Sequence, residues 1–94
     1  MILYVAYEPA KVGDDAADAI HTVVVAAAGR ENAQRVMRNV WLVFSEIRAS
    51  EWVDKIEAAT HKGDKLLVSR LQRGSAALNL NAATQWISGH RENF

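Results

Sequence analysis

A single carboxylate, that of Glu8, lies at a position where a small protein could bind a metal ion. Glu8 closes the hydrophobic run MILYVAY at the start of the chain, and Pro9 follows it directly. Carboxylate oxygens are preferred ligands of hard divalent cations, so a carboxylate held at a strand end could bind a metal ion. A strand also needs a polar residue where it leaves the interior, and Glu8 would then pair with an arginine or cap the turn. The sequence leaves both interpretations open.

The other acidic and imidazole side chains form no recognisable site in the sequence. Asp14, Asp15 and Asp18 fall at the predicted start of a helix, where carboxylates cap exposed amides and meet the positive end of the helix dipole. The chain has three histidines, which are His21, His61 and His90. Their separations match no helical or hairpin spacing of metal ligands. Neither a glycine-rich phosphate loop nor a recognisable nucleophile motif occurs in the sequence.

Basic residues gather between positions 30 and 48. The arginines of this stretch are Arg30, Arg35, Arg38 and Arg48. Such a patch, with Arg70 and Arg73 as further contributors, could contact the phosphates of a nucleic acid, or it could be a solvated face or the rim of a dimer. Eleven basic residues balance eleven acidic ones, so the chain has no global field to attract nucleic acid. Nucleic-acid-binding domains usually carry a clear basic excess.

Length and composition predict one globular domain over residues 1–94, because the chain has 94 residues and half of them are hydrophobic. Cysteine is absent, which excludes disulfides and thiolate metal sites and fits a cytoplasmic protein. No apolar run approaches the ~18–20 residues of a membrane span, and the start lacks the features of a signal peptide. We therefore expect neither a membrane partner nor a small-molecule substrate.

Hydrophobic patterning predicts the element order β-α-β-β-α-β. The predicted elements are a strand over 2–8, a helix from 14 to 28, strands over 32–39 and 40–44, a helix over 51–61, a strand over 64–71 and a short helix beginning at Asn81. We expect Ser50 to cap the second helix, and Gly29 and Gly63 to follow the two helix ends. Two βαβ halves of this length predict an α+β fold, a ferredoxin-like βαββαβ sandwich with a short C-terminal helix.

The predicted sheet has more apolar surface than two helices can cover. Strands 2–8 and 40–44 are hydrophobic on both faces, but two helices cover only one face of a four-stranded sheet. A second copy of the chain is the cover that we favour, and the C-terminal helix is the competing cover. The sequence therefore predicts a homodimer.

Five stretches carry a resemblance to known proteins. They are the strand that ends in Tyr7-Glu8, the hairpin strand at 39–44, the helix at 50–60, the Asp-x-Leu-x-Val strand at 64–68 and the tryptophan-containing segment at 80–87. In these features the chain resembles the small CRISPR-associated dimer-forming proteins of the spacer-acquisition complex and the related virulence-associated protein D toxins. It is more closely similar to short bacterial proteins of the SinR family.

The resemblance implies a role for Glu8. In the CRISPR-associated family, an aspartate at the end of the first strand is the proposed ligand of a divalent metal, and two copies face each other across the dimer. Glu8 in the same place implies a metal ligand and catalytic residue of a Mg²⁺-dependent nuclease, in which paired ions would activate a water against a phosphodiester. Here glutamate replaces aspartate and Pro9 follows. The resemblance therefore implies the fold and the dimer more firmly than catalysis.

Three functional hypotheses follow from the sequence. The favoured one is a homodimeric interaction or structural protein linked to mobile elements or toxin–antitoxin systems. The second is a divalent-metal-dependent nuclease built on paired Glu8, the one hypothesis that requires a cofactor, Mg²⁺. The third is a nucleic-acid-binding module that uses Arg30, Arg35 and Arg38.

Overall fold

The chain forms one antiparallel sheet and two α-helices in a computed structural model that describes residues 1–11, 15–71, 85, 86 and 89. The elements are β1 (Ile2–Glu8), α1 (Asp15–Ala28), a single 3₁₀ turn (Arg30–Asn32), β2 (Ala33–Met37), β3 (Val40–Phe44), α2 (Ala49–Glu57) and β4 (Lys65–Arg70). The predicted α+β class is confirmed. The predicted helix beginning at Asn81 lies outside the described residues, except for Gln85 and Trp86, whose backbone is helical. Asp14, Arg73 and His90 also lie outside them.

The strands lie in the order β2-β3-β1-β4, and every neighbouring pair is antiparallel. β1 is therefore central, with β3 on one side and β4 on the other. This position leaves β1 without an open edge, because strands pair with it on both sides. Its alternation sends Leu3, Val5 and Tyr7 to one face and Ile2, Tyr4, Ala6 and Glu8 to the other.

Both helices pack on the first of these faces and complete the core. The sheet contributes Leu3, Val5, Tyr7, Trp41, Val43 and Val68, and the helices contribute Ala17, Ile20, Val24, Trp52 and Ile56. The tryptophans Trp41 and Trp52 are fully buried, as expected for core residues. We call the opposite side of the sheet, which faces away from α1 and α2, the second face.

The boundaries of α2 differ from the prediction. The helix begins at Ala49, so Ser50 lies inside it, and the N-cap position is taken by Arg48 with extended backbone and no side-chain cap. Packing decides this start, because Trp52 is fully buried and its indole N–H donates to the Ser45 hydroxyl at 3.1 Å. The helix also ends at Glu57 rather than at position 61.

Both glycines have positive φ, and Gly29 directly follows the end of α1 at Ala28, as predicted, whereas Gly63 lies six residues beyond the end of α2 at Glu57. Gly29 has φ of +92° and ψ of 145°, which is outside the left-handed helical region, because the chain continues into the 3₁₀ turn. Gly63 has φ of +88° and lies in the turn before β4, where a Cβ would stand 3.1 Å from that of Ala10. Glycine suits this position because other residues rarely adopt such a φ.

Candidate interaction surface

The strand registers align four hydrophobic residues across one end of the second face. Ala6 of β1 pairs with Val40 of β3 on one side and with Leu67 of β4 on the other, and Met37 of β2 pairs with Val40. Cross-strand partners point to the same face of a sheet. We call this set, Met37–Val40–Ala6–Leu67, the apolar row. It crosses all four strands of the sheet.

A bulge in β2 places Met37 in the apolar row. The register between β2 and β3 shifts between Arg35 and Met37, so Met37 rather than Val36 takes the position opposite Val40. Bulges of this kind redirect a side chain toward the other face of a strand. Without the extra residue, alternation would place Met37 on the same face as Arg35, toward the helices.

The two ends of the apolar row are exposed, and Val40 and Ala6 between them are half-buried. Met37 is 51% exposed and Leu67 is 55% exposed, and they are the exposed large hydrophobic side chains of the described residues. Elsewhere on the same face, Ile2 is 0% and Leu42 is 5% exposed in a single chain. The second face is therefore partly shielded without a second copy, and the surface that remains for a partner is smaller than the sequence suggests.

A shallow depression of about 260 Å³ lies over three of the four residues of the apolar row. Ala6, Val40 and Leu67 line it, and the polar side chains of Glu8, Asn39 and Lys65 also border it. The depression has no enclosed shape for a small ligand and few polar groups to orient one, whereas ligand pockets are concave and combine both features. A broad, apolar and shallow surface is better suited to another protein surface.

Glu8 pairs with a lysine at the border of this depression. Its register partner on β4 is Lys65, and the carboxylate Oε2 lies 4.0 Å from the ammonium Nζ. Both side chains are exposed, so the pair contributes at most about 1 kcal/mol. The interpretation of Glu8 as the residue where the strand leaves the interior fits this geometry, with a lysine in place of the expected arginine.

Among the described residues, no set of Mg²⁺ ligands surrounds Glu8. Mg²⁺ requires octahedral oxygen coordination, but the Glu8 carboxylate faces the Lys65 ammonium. Across the described ranges 1–11 and 15–71, no three His, Cys, Asp or Glu residues are grouped to hold a metal ion. The metal-ligand role of Glu8 therefore remains a prediction, in which a second copy would supply the second carboxylate.

The arginines of the predicted nucleic-acid patch have different surroundings. Arg35 is half-buried and holds β2 against α1, since its Nη1 lies 3.0 Å from Asp18 Oδ1 and its guanidinium lies 5.3 Å from the ring centre of Trp41. Its Nε also donates to the backbone oxygen of Arg38 at 2.8 Å. Arg30 and Arg38 are exposed, in the 3₁₀ turn and in the β2–β3 turn. Phosphate would have to compete with Asp18 for Arg35.

The sequence did not indicate that the Asp64 side chain, near Glu8, is a buried carboxylate. The side chain of Asp64 is only 4% exposed and accepts three hydrogen bonds, from Tyr7 Oη at 2.5 Å and from the backbone N–H groups of Ala10 and His61 at 2.8 Å each. The hydrogen bond from Tyr7, followed by those from Ala10 and His61, lowers the pKa of Asp64 to about 2. Burial, followed by the neighbouring carboxylate, raises the pKa of Tyr7 to about 12.

This arrangement is structural in character. The Asp64 carboxylate is ionised at neutral pH and already bonded to three donors, so it joins the end of β1 to the start of β4 and is a poor general base. A cleft of about 540 Å³ beside it is bordered by the end of α2 and the following turn, including Glu57 and His61. A Gly-Asp pair before a strand was the one available sequence signal, and it indicates a turn rather than a site.

His21 also has a structural role. Its Nδ1 accepts a hydrogen bond from the indole Nε1 of Trp41 at 3.0 Å, and the two rings are stacked with centroids 6.4 Å apart. The residue is half-buried. It connects α1 to the core strand β3.

Within the part of the chain that the structure describes, no helix has the length and hydrophobicity to cross a bilayer. A scan of the chain against models of known protein families matched none of them. A search of curated proteins likewise found no relative.

Proposed function

We propose that the chain is a small homodimeric interaction protein with the ferredoxin-like βαββαβ fold, and that two copies associate through the apolar row. The fold assignment is supported by two helices on one side of an antiparallel sheet with the strand order β2-β3-β1-β4. In that order β1 lies between β3 and β4, so the two βαβ halves interleave in the split βαβ plan.

The observation that carries the dimer is the apolar row itself. Its two largest side chains, Met37 and Leu67, are each about half exposed, while the rest of the hydrophobic side chains around β1 are buried or half-buried. Contiguous exposed apolar surface rimmed by polar groups is typical of protein interaction sites. Burying a leucine side chain that is now exposed stabilises a complex by about 1.5–3 kcal/mol at most.

A second copy suits this surface because a two-fold interface presents the same patch from both sides. Such an interface has to be self-complementary in shape and charge. The apolar row provides hydrophobic groups to both partners, and Glu8 and Lys65 at its border provide one charge of each sign. Opposite charges beside an apolar centre favour correct docking.

The resemblance to the SinR, CRISPR-associated and virulence-associated protein D groups supports the same assembly. It also motivates the setting that we propose, a cytoplasmic protein linked to mobile elements or toxin–antitoxin systems. Under this proposal Glu8 is an interface residue, and the nuclease hypothesis depends on whether the assembly brings two copies of Glu8 together.

The experiment is a measurement of mass in solution by light scattering over a range of concentrations. We expect two chains per particle, and we expect Leu67→Glu to raise the dissociation constant by about tenfold or more, since a desolvated charge replaces an apolar contact. Ala26→Glu is the matched control, because Ala26 is exposed on α1 on the other side of the molecule. A wild-type chain that remains monomeric at millimolar concentration, or a Leu67→Glu variant that dimerises like the control, contradicts the proposal.

A further inference from the structure

The outer edge of β4 carries backbone groups that can hydrogen-bond to a further strand. β4 lies at one side of the sheet, where its inner edge pairs with β1. The Leu71 N–H donates to the Ile2 carbonyl at 2.8 Å, and hydrogen-bonded pairs alternate with non-bonded pairs along an antiparallel ladder. Every second residue of β4 therefore directs its N–H and C=O groups away from β1. These residues are Leu66, Val68 and Arg70.

The two edges of the sheet differ in how readily they accept a further strand. At the opposite edge β2 is irregular, because its register shifts between Arg35 and Met37. Bulges of this kind protect an edge from pairing. β4 pairs with β1 over six residues without a register shift, and it contains no proline. Within the described residues no strand pairs with the outer edge of β4, so this edge is the one that suits strand addition.

A cleft lies beside this edge on the face that the helices cover. α2 packs next to β4, and the cleft of about 540 Å³ opens between the end of α2 and the start of β4. Val53 of α2 and Leu66 of β4, both half-buried, contribute apolar side chains to its lining. Residues that lie opposite each other on neighbouring strands point to the same face. A residue added opposite Leu66 would therefore point into the cleft, where an apolar side chain would cover Val53 and Leu66.

A cation lies on the same face at the other end of β4. Arg70 pairs with Leu3, which places its side chain on the first face, and it is exposed. Among the described residues, no carboxylate forms an ion pair with its guanidinium. Opposite charges directly across two strands stabilise their pairing. The charge of this edge therefore suits a strand that carries an acidic residue opposite Arg70.

We infer that β4 binds an extended segment of another protein, which adds to the sheet as an antiparallel strand with a carboxylate opposite Arg70 and an apolar side chain in the cleft beside Leu66. Antiparallel pairing matches the rest of the sheet and is slightly more stable per residue than parallel pairing. The acidic residue then precedes the apolar residue by four positions. This inference does not depend on the proposed homodimer, which uses the second face, and a monomeric chain would leave it in place.

The probe is a synthetic peptide with blocked ends that contains glutamate, threonine, valine, threonine and leucine in this order. Antiparallel pairing places its glutamate opposite Arg70, its valine opposite Val68 and its leucine opposite Leu66. The control peptide carries methyl groups on the backbone nitrogens of its valine and leucine, which removes two donors that would face β4. Hydrogen exchange of the β4 amides, measured by NMR, reports both the free edge and the bound strand.

In the free chain we expect the amides of the three outward residues to exchange about a hundredfold faster than those of Leu67 and Ser69, which bond to β1. Excess peptide should slow the three outward amides by about tenfold or more, and the methylated peptide should leave them unchanged. Slow exchange of these amides in the free chain would mean that the chain itself or a second copy covers the edge, and it would overturn the inference. Equal effects of both peptides, or no effect of either at millimolar concentration, would overturn it as well.

Arg70→Glu tests the charge at this edge. We expect the variant to bind the peptide about fivefold more weakly, and we expect affinity to return when lysine replaces the glutamate of the peptide. Arg30→Glu is the matched control, because Arg30 is exposed in the 3₁₀ turn. Circular dichroism confirms that both variants fold. An Arg70→Glu variant that binds the original peptide as tightly as the control would overturn the pairing of a carboxylate with Arg70.

Discussion

Two neighbouring residues on β4 show how differently the two faces of the sheet are used. Val68 points toward the helices and is 9% exposed, while Leu67 points toward the second face and is 55% exposed. Both are aliphatic, and both pair with hydrophobic residues of β1, Val5 and Ala6. Residue type is the same on the two faces. Whether the helices cover a residue therefore decides whether it stabilises the fold or remains available to a partner.

The difference between the faces arises from the helices. α1 and α2 place Ile20, Val24, Trp52 and Ile56 on the first face, where each is fully buried. On the second face burial depends on position along the strands, since Ile2 is buried and Leu67 is not. One face is therefore a core, and the other is divided into a shielded end and an exposed row.

The largest effect is expected from truncation of a core tryptophan. Trp52→Ala removes a fully buried indole between α2 and the sheet, together with its hydrogen bond to the Ser45 hydroxyl. We expect a loss of about 3–5 kcal/mol in the free energy of unfolding, measured by chemical denaturation. A loss below about 1 kcal/mol would show that the first face is not the core of this domain.

Truncation of the two β4 neighbours compares the faces directly. Val68→Ala should lower the free energy of unfolding by about 2 kcal/mol, because it removes buried methyl groups and leaves a cavity. Leu67→Ala, although it removes a larger group, should change the stability of the monomer by less than about 0.5 kcal/mol. Denaturation below the dimer dissociation constant isolates the monomer, and equal losses for the two variants would contradict the comparison.

The first face was predictable because its signals are local and mutually consistent. Runs of hydrophobic residues at strand or helix spacing predict three of its features. These are the end of the first strand at Glu8, the strand over 40–44 and the burial of Trp41 and Trp52. The predicted start of α2 was wrong. Ser50 is a good capping residue by its local sequence, but the packing of Trp52 places the start of the helix at Ala49. Tertiary contacts outweigh a cap that contributes about 1 kcal/mol.

The candidate surface was less predictable because it depends on register. The sequence indicated that both faces of β1 are hydrophobic, but the row requires Met37, Val40, Ala6 and Leu67 to come from four strands at one level. Met37 joins the apolar row only through a bulge, and no residue type in β2 predicts that bulge. The Tyr7–Asp64 bond joins positions 57 residues apart, and no local pattern predicts such a pair.

Tyr7 and Asp64 make the free energy of unfolding depend on pH at one end of the sheet. The folded pKa of Asp64, about 2, is below its ordinary 3.8, so its contribution is present above about pH 4 and is lost as the pH falls toward 2. The pKa of Tyr7 is raised from 10.0 to about 12, so its contribution is present below pH 10 and is lost as the pH rises toward 12. The loss in acid follows mainly from the hydrogen bond that Tyr7 donates to Asp64, and the loss in alkali follows mainly from the burial of Tyr7.

Tyr7→Phe separates this contribution from the core. The variant should be less stable than the wild type at neutral pH, because a buried carboxylate loses its strongest donor. The difference should shrink between about pH 4 and pH 2, where Asp64 becomes protonated, and the alkaline loss should weaken. Denaturation curves across pH measure both limbs. Tyr4→Phe is the matched control, and a difference that does not vary with pH would mean that packing rather than the hydrogen bond accounts for it.

The smallest effect is expected at the Asp18–Arg35 ion pair, which joins α1 to β2 at 3.0 Å near the rim of the core. Asp18 is largely exposed, and water and salt screen an exposed pair, so Asp18→Asn should cost at most about 1 kcal/mol. The cost should fall in high salt, and Asp54→Asn, an exposed aspartate of α2, provides the control. A salt-independent loss of several kcal/mol would mean that Arg35 needs Asp18 to stay over Trp41, and the first face would then depend on charge as well as on burial.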